Sequence, residues 1–108
     1  MEIQYINFEV LNDTEKAALE VVLADGLKKF ERLLKNPSKL VVQVKLKDTT
    51  GKRKRYNINM RAEAPNATFS SETMDWDLNR TARKAVNDIE KEILHRYRQD
   101  TSYKKSYE

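Results

Sequence analysis

Two stretches of strict alternation sit close together in the middle of the chain. In "KLVVQVKLK", Leu40, Val42, Val44 and Leu46 recur every second residue. In "RYNINMRAEA", Tyr56, Ile58, Met60 and Ala62 do the same, with Arg55, Asn57, Asn59 and Arg61 between them. A period of two sends one class of side chain to each face of a pleated strand. Two such runs joined by "DTTGK" therefore predict a hairpin with one apolar and one polar face. An isolated hairpin is marginal in water, so this one needs further strands or a helix against its apolar face.

The rest of the chain supplies both. Residues 2–10, "EIQYINFEV", are rich in β-branched and aromatic types, and Ile6, Phe8 and Val10 alternate with polar partners, which predicts a first strand. Asn12 or Asp13 is a suitable N-cap, with Glu15 three residues after Asn12 as in a capping box. Leu19, Leu23, Leu27, Phe30 and Leu34 then recur at helical spacing up to Pro37, predicting an amphipathic helix of about five turns. Gly26 in its interior is either a close contact or without consequence. After the hairpin, "PN" makes a turn and "ATFSSE" reads as a short strand with Phe69 towards the core. Asp75 or Asp77 caps a second helix with an apolar stripe of Leu78, Ala82, Ala85, Val86, Ile89, Ile93 and Tyr97.

The expected fold is thus α+β, in the order β-α-β-β-β-α: a four-stranded sheet with both helices packed on one face. The connection from the first strand to the second is long enough for a parallel, right-handed crossover. The other sheet face is then largely uncovered and carries Lys45, Lys47, Arg55, Asn57, Asn59, Arg61 and Ser70. Residues 1–98 form one domain, and 99–108 read as a flexible tail because they lack periodicity.

Composition narrows the function. A chain of 108 residues is one domain and buries enough surface to need no staple. It has no cysteine, which excludes disulfides, thiolate chemistry and cysteine-held zinc and fits a reducing, cytoplasmic setting. No apolar run approaches the ~20 residues of a membrane span, and "MEIQYINFEVLNDTEK" does not read as a signal peptide. Without such a signal, the sequons at Asn66 and Asn79 read as chance.

Catalysis has little to stand on. The one histidine, His95, reads as a solvated residue near a helix C-terminus. Glu72, Asp75 and Asp77 in "ETMDWD" could hold a divalent cation, but capping of the following helix explains them better. No phosphate-binding glycine loop occurs. Trp76 is either a stacking platform or, on balance, packing at the corner between sheet and helix. No cofactor, metal, membrane or small-molecule substrate is expected, and no enzymatic activity.

Positive charge is the more informative signal. Lys and Arg number 21 against 17 Asp and Glu, with a pI of about 9.3, so placement matters more than total. Lys28, Lys29, Arg32 and Lys35 gather in the C-terminal half of the first helix. Arg80, Lys84, Lys91 and His95 line one side of the second, with Arg83 beside them. The hairpin adds Lys52, Arg53, Lys54, Arg55 and Arg61. Any one such cluster is ordinarily a solvated face, but three in one small domain favour contacts to the phosphates of folded RNA. The competing reading is a protein-interaction module using the open sheet face or an edge strand, with the charge serving solubility.

With this pattern in view, the chain resembles the ribosome hibernation promoting factor and ribosome-associated inhibitor family, also called sigma-factor modulation proteins. Pro65 and Thr68 match the family's turn and strand, and Asp77 and Leu78 its helix start. Ala85, Val86, Ile89, Glu90, Lys91 and Ile93 match the helix body, and Lys29 and Arg32 fall on basic positions of its first helix. The chain departs from the family pattern at Gly26, Asn79, Arg83, Asp88 and Glu92. The resemblance implies the same fold and a non-catalytic role: docking on the small ribosomal subunit, against ribosomal RNA, to hold ribosomes dormant under stress. It corresponds to a short form or to the N-terminal domain of longer members. The topology without its first strand also resembles double-stranded-RNA-binding domains.

Overall fold

A computed structural model describes the backbone of residues 1–51, 53–65 and 67–105, and the side chains of these apart from 48–50 and 97–105. The elements run β1 (Glu2–Ile6), α1 (Asp13–Leu33), β2 (Lys39–Thr50), β3 (Arg53–Ala64), β4 (Ala67–Asp75) and α2 (Leu78–Lys105), with one 3-10 turn at Phe8–Val10. The sheet has four strands in the order β1-β2-β3-β4. β1 pairs parallel to β2, and β2–β3 and β3–β4 pair antiparallel. This is the α+β architecture that the periodicities predict, with α1 as the crossover.

The alternating runs form the core face as read. Leu40, Val42, Val44, Tyr56, Ile58, Met60, Ala62 and Phe69 are all buried, together with Leu19, Leu23 and Phe30 of α1 and Ala82, Ala85, Val86, Ile89 and Ile93 of α2. Each large aliphatic side chain so buried contributes roughly 1.5–3 kcal/mol. Helix α1 begins with the expected capping box: the Asn12 side chain accepts from the Glu15 N–H, and the Glu15 side chain accepts from the Asn12 N–H. At 21 residues it makes about six turns, slightly more than expected. Gly26 is a close contact: a Cβ there would lie 2.8 Å from Val86 Cγ2. Lys29 also approaches Glu90 of α2. Residue numbers thus rise together along the contact, so the helices run side by side in the same direction, with both C-terminal halves near the β3–β4 turn.

Several boundaries differ from the reading. The first strand stops at Ile6, because Asn7 takes the left-handed conformation (φ 60) and turns the chain into the 3-10 segment. The core-facing residues of β1 are accordingly Ile3 and Tyr5, opposite Leu40 and Val42, while Ile6 and Val10 are exposed. Phe8 stacks on Tyr5 at 4.1 Å between ring centres. The hairpin strands extend through "DTT" to a tight turn, with Thr50 opposite Arg53 and Gly51 at φ 59. A register shift between Leu46 and Asp48 makes Lys47 the extra residue of a bulge. β4 runs on to Asp75, three residues past the predicted "ATFSSE". Helix α2 continues to Lys105 through residues read as a tail. Lack of an apolar stripe removes packing, but Gln99, Lys104 and Lys105 are good helix formers.

The sheet face away from the helices is also less open than expected. Asn57 is fully buried there, between Lys45 and Met74 in the register, and Val41 is buried too. Asn57 donates to Glu72 Oε2 of β4 at 3.2 Å and accepts from Asn59 Nδ2 on its own strand at 3.2 Å, so both ends of its amide are bonded.

Candidate nucleic-acid interface

The expected cations separate into two groups according to whether a carboxylate holds them. Among the described residues, Lys29 lies 4.0 Å from both Asp25 and Glu90. Lys54 lies 3.5 Å from Glu15, and Arg61 Nε 2.8 Å from Glu63. Lys84 and Arg80 both meet Asp75, at 2.8 and 3.6 Å. These pairs are at or near the surface, so each contributes little to stability. They do reduce the charge offered to an outside anion.

Lys28, Arg32, Lys35, Arg83 and Lys91 make no ion pair among the described residues and are exposed. Helical geometry aligns Lys28 and Arg32 on one side of α1, and Lys35 follows just past the extended C-cap Leu34; Arg83 and Lys91 lie about a quarter turn apart on α2. Where α1 ends beside α2, Arg32 and Lys35 line a groove with Pro65, Phe69 and Arg96. Lys91, His95 and Arg96 line the adjoining depression over Thr68 and Phe69, where Glu92 is the acidic member. The Arg96 guanidinium stands 5.9 Å from the Phe69 ring centre. Arg32, in the last turn of α1, is also favoured by the negative end of that helix's dipole. Arg96 escapes a reading of the sequence because it lies off the Lys84–Lys91–His95 line; Phe69 is what brings it to the groove.

The hairpin residues do not share one surface. Lys52 lies outside the described residues. Lys54 has the parity of Tyr56 and Ile58 and therefore points to the helix side, where it reaches Glu15 at the start of α1. Arg53 and Arg55 point to the opposite face and stand 4.7 and 5.9 Å from the ring of Trp76. β3 is 12 residues long, so the hairpin tip and the β3–β4 turn are separated by roughly 35–40 Å. The basic residues thus form two regions at opposite ends of the sheet, not one continuous rim.

The acidic residues of "ETMDWD" are each engaged separately. Asp77 caps α2, accepting from the Arg80 N–H at 2.9 Å. Asp75 instead accepts from Lys84 and from the Trp76 N–H, which hold its carboxyl down to about 2. Glu72 accepts from Asn57. No group of His, Asp and Glu among the described residues is arranged to hold a metal ion. Trp76 is 41% exposed and lies outside the core, so the packing role favoured for it is not the one it takes.

One buried-edge cluster has a structural part. The Tyr56 hydroxyl donates to Glu15 Oε2, and burial together with that carboxylate pushes Tyr56 up to about 12. Burial of Glu15 acts to raise its own carboxyl, but the bonds from Tyr56, the Asn12 N–H and Lys54 outweigh it and hold it below the usual range.

No helix of the described residues is long and apolar enough to cross a membrane. No protein-family model matches the chain. No curated protein matches it either. Among solved structures, the chain is similar to the N-terminal domain of Thermus thermophilus Protein Y, with 23% sequence identity and a TM-score of 0.49 over 85% of this chain and 91% of that one.

Proposed function

We propose that this protein is a non-catalytic RNA-binding protein that docks on the small ribosomal subunit, against ribosomal RNA, and keeps ribosomes dormant. The observation that carries the reading is the set of exposed cations without carboxylate partners, Arg32, Lys35 and Lys91 with Arg96, gathered where α1 ends beside the middle of α2. Phosphate contacts of this kind position a protein on folded RNA without reading bases. The sequence resemblance at Pro65, Thr68, Asp77, Leu78 and the body of α2 supports the ribosomal destination. Lys28 and Arg83 extend the surface along the helices, while Lys29, Lys54, Arg61, Arg80 and Lys84 must exchange an internal partner to contribute.

Co-sedimentation with purified small and large ribosomal subunits at two salt concentrations tests this. The expected result is pelleting with the small subunit that weakens steeply with salt. About six phosphate contacts give a slope of log K against log salt of roughly −4 to −5. Absence of pelleting with either subunit at low salt would overturn the reading.

A further inference from the structure

We propose that Trp76, with Arg53 and Arg55, is a platform on which an unpaired base of the bound RNA stacks. The proposal deepens the RNA-binding reading and rests on it. Trp76 is the one tryptophan of the chain, and a side chain so large and apolar is normally well buried; here it is 41% exposed. It follows directly on Asp75, which faces Tyr56 on the core side of the sheet, so continuing the register brings Trp76 beside Arg55 on the face away from the helices. Arg53 and Arg55, two residues apart on β3, both approach the indole, at 4.7 and 5.9 Å.

The main chain beneath the ring is held in place. The Trp76 backbone N–H donates to Asp75 Oδ1 at 2.6 Å, and the other oxygen of that carboxylate accepts from Lys84 at 2.8 Å. A platform carried on a fixed backbone loses only side-chain freedom when it is covered. An exposed guanidinium over an indole is a weaker contact than a nucleobase stacked on it. A base can therefore take the ring, leaving an arginine to turn to the adjoining phosphate. Interleaved aromatic and basic groups are what a single-stranded segment requires, since every base has a π-face and every linkage a charge. This site lies at the opposite end of the sheet from the groove at Arg32 and Arg96. The platform would thus engage a different part of the RNA from the phosphates gripped there.

Because there is only one tryptophan, its emission reports on this site alone. The intact protein is titrated with a fluorescently labelled octamer of adenylate and with an RNA duplex of equal length, following both tryptophan emission and label anisotropy. The expected result is quenching by the single strand and not by the duplex. Trp76→Ala should lose roughly 5- to 100-fold in affinity for the octamer, and Trp76→Phe should retain most of it. Unchanged affinity in Trp76→Ala, with the octamer still bound, overturns the platform and leaves RNA binding standing. If Trp76→Ala weakens pelleting with ribosomal subunits while the octamer neither binds nor quenches, the indole meets a ribosomal protein and the proposal fails. If the wild-type protein binds neither octamer, duplex nor subunits, the platform and the RNA-binding reading fall together.

Discussion

Gly26 of α1 lies against Val86 of α2 so closely that a β-carbon on it would sit 2.8 Å from one valine methyl and 3.1 Å from the other. Both methyls are in the way, so turning the valine about its Cα–Cβ bond gives no relief, and Val86 is itself buried. Gly26→Ala gains up to ~1 kcal/mol of helix propensity but forces overpacking, which typically costs about 1–3 kcal/mol. The expected net effect is a loss of roughly 1–2 kcal/mol in urea unfolding. The double variant Gly26→Ala, Val86→Ala should be more stable than the sum of the single effects predicts. Strict additivity would mean that the helices shift apart without strain.

The capping box and the Tyr56 contact meet in one carboxylate. Glu15 accepts from the Asn12 N–H, accepts from the Tyr56 hydroxyl and pairs with Lys54. Asn12→Ala removes only the cap and should cost about 1 kcal/mol. Glu15→Ala removes all three partners' acceptor and leaves a nearly buried hydroxyl unsatisfied, so its cost should be larger, about 2 kcal/mol. Titrating phenolate absorbance supplies a second readout. Tyr56 should ionise below its native value of about 12, yet remain above 10.0, because burial is the larger cause of its shift and survives the substitution. A Tyr56 that titrates as in the wild type would remove Glu15 as its partner.

Acid stability follows from the two lowered carboxylates. Asp75 falls from 3.8 to about 2 on folding, chiefly through the bond from Lys84, and Glu15 is lowered from 4.5. A carboxyl whose folded value is depressed contributes stability that is complete above its unfolded value and disappears as pH falls through its folded one. The melting temperature should therefore decline as pH falls from about 4 towards 2. Asp75→Asn should make that decline shallower while lowering the melting temperature at neutral pH. Parallel acid profiles for the two proteins would show that Asp75 does not contribute.

Legibility in the sequence follows periodicity. Leu40, Val42, Val44, Tyr56, Ile58 and Met60 fall to the core face because a strand admits only two phases, and the cap at Asn12 and Glu15 is legible because its spacing is local. The same parity places Lys54 with Tyr56 on the helix side, a signal present in the sequence but hidden within the run "KRKR". Asn7 ends β1 through a backbone angle that a strand-forming composition does not reveal. The pairing of Lys84 with Asp75 and of Lys29 with Glu90 is not legible, because those partners come from different elements and meet only once the helices pack. For the same reason a count of basic residues overstates the charge available to a ligand, and nothing local distinguishes Arg96 until Phe69 places it.

That division of the cations yields the sharpest test of the candidate interface. Lysines and arginines without an internal carboxylate can release RNA counterions in full, whereas a paired one first gives up its partner. Replacing Arg32, Lys35, Lys91 and Arg96 together by Gln should flatten the log K against log salt slope for small-subunit binding by about 3, at roughly 0.7–0.9 for each phosphate no longer neutralised. All four are exposed, so circular dichroism and melting temperature should change little. Lys84→Gln removes a cation already held at 2.8 Å by Asp75 and should alter the slope by well under 1. The joint replacement of Lys52, Arg53, Lys54 and Arg55 by Gln should fall between the two, since Lys54 is paired with Glu15 while Arg53 lies on Trp76. Were Lys84→Gln to flatten the slope as much as the fourfold variant, internal pairing would not govern which cations reach the RNA, and the interface would have to be redrawn around Asp75.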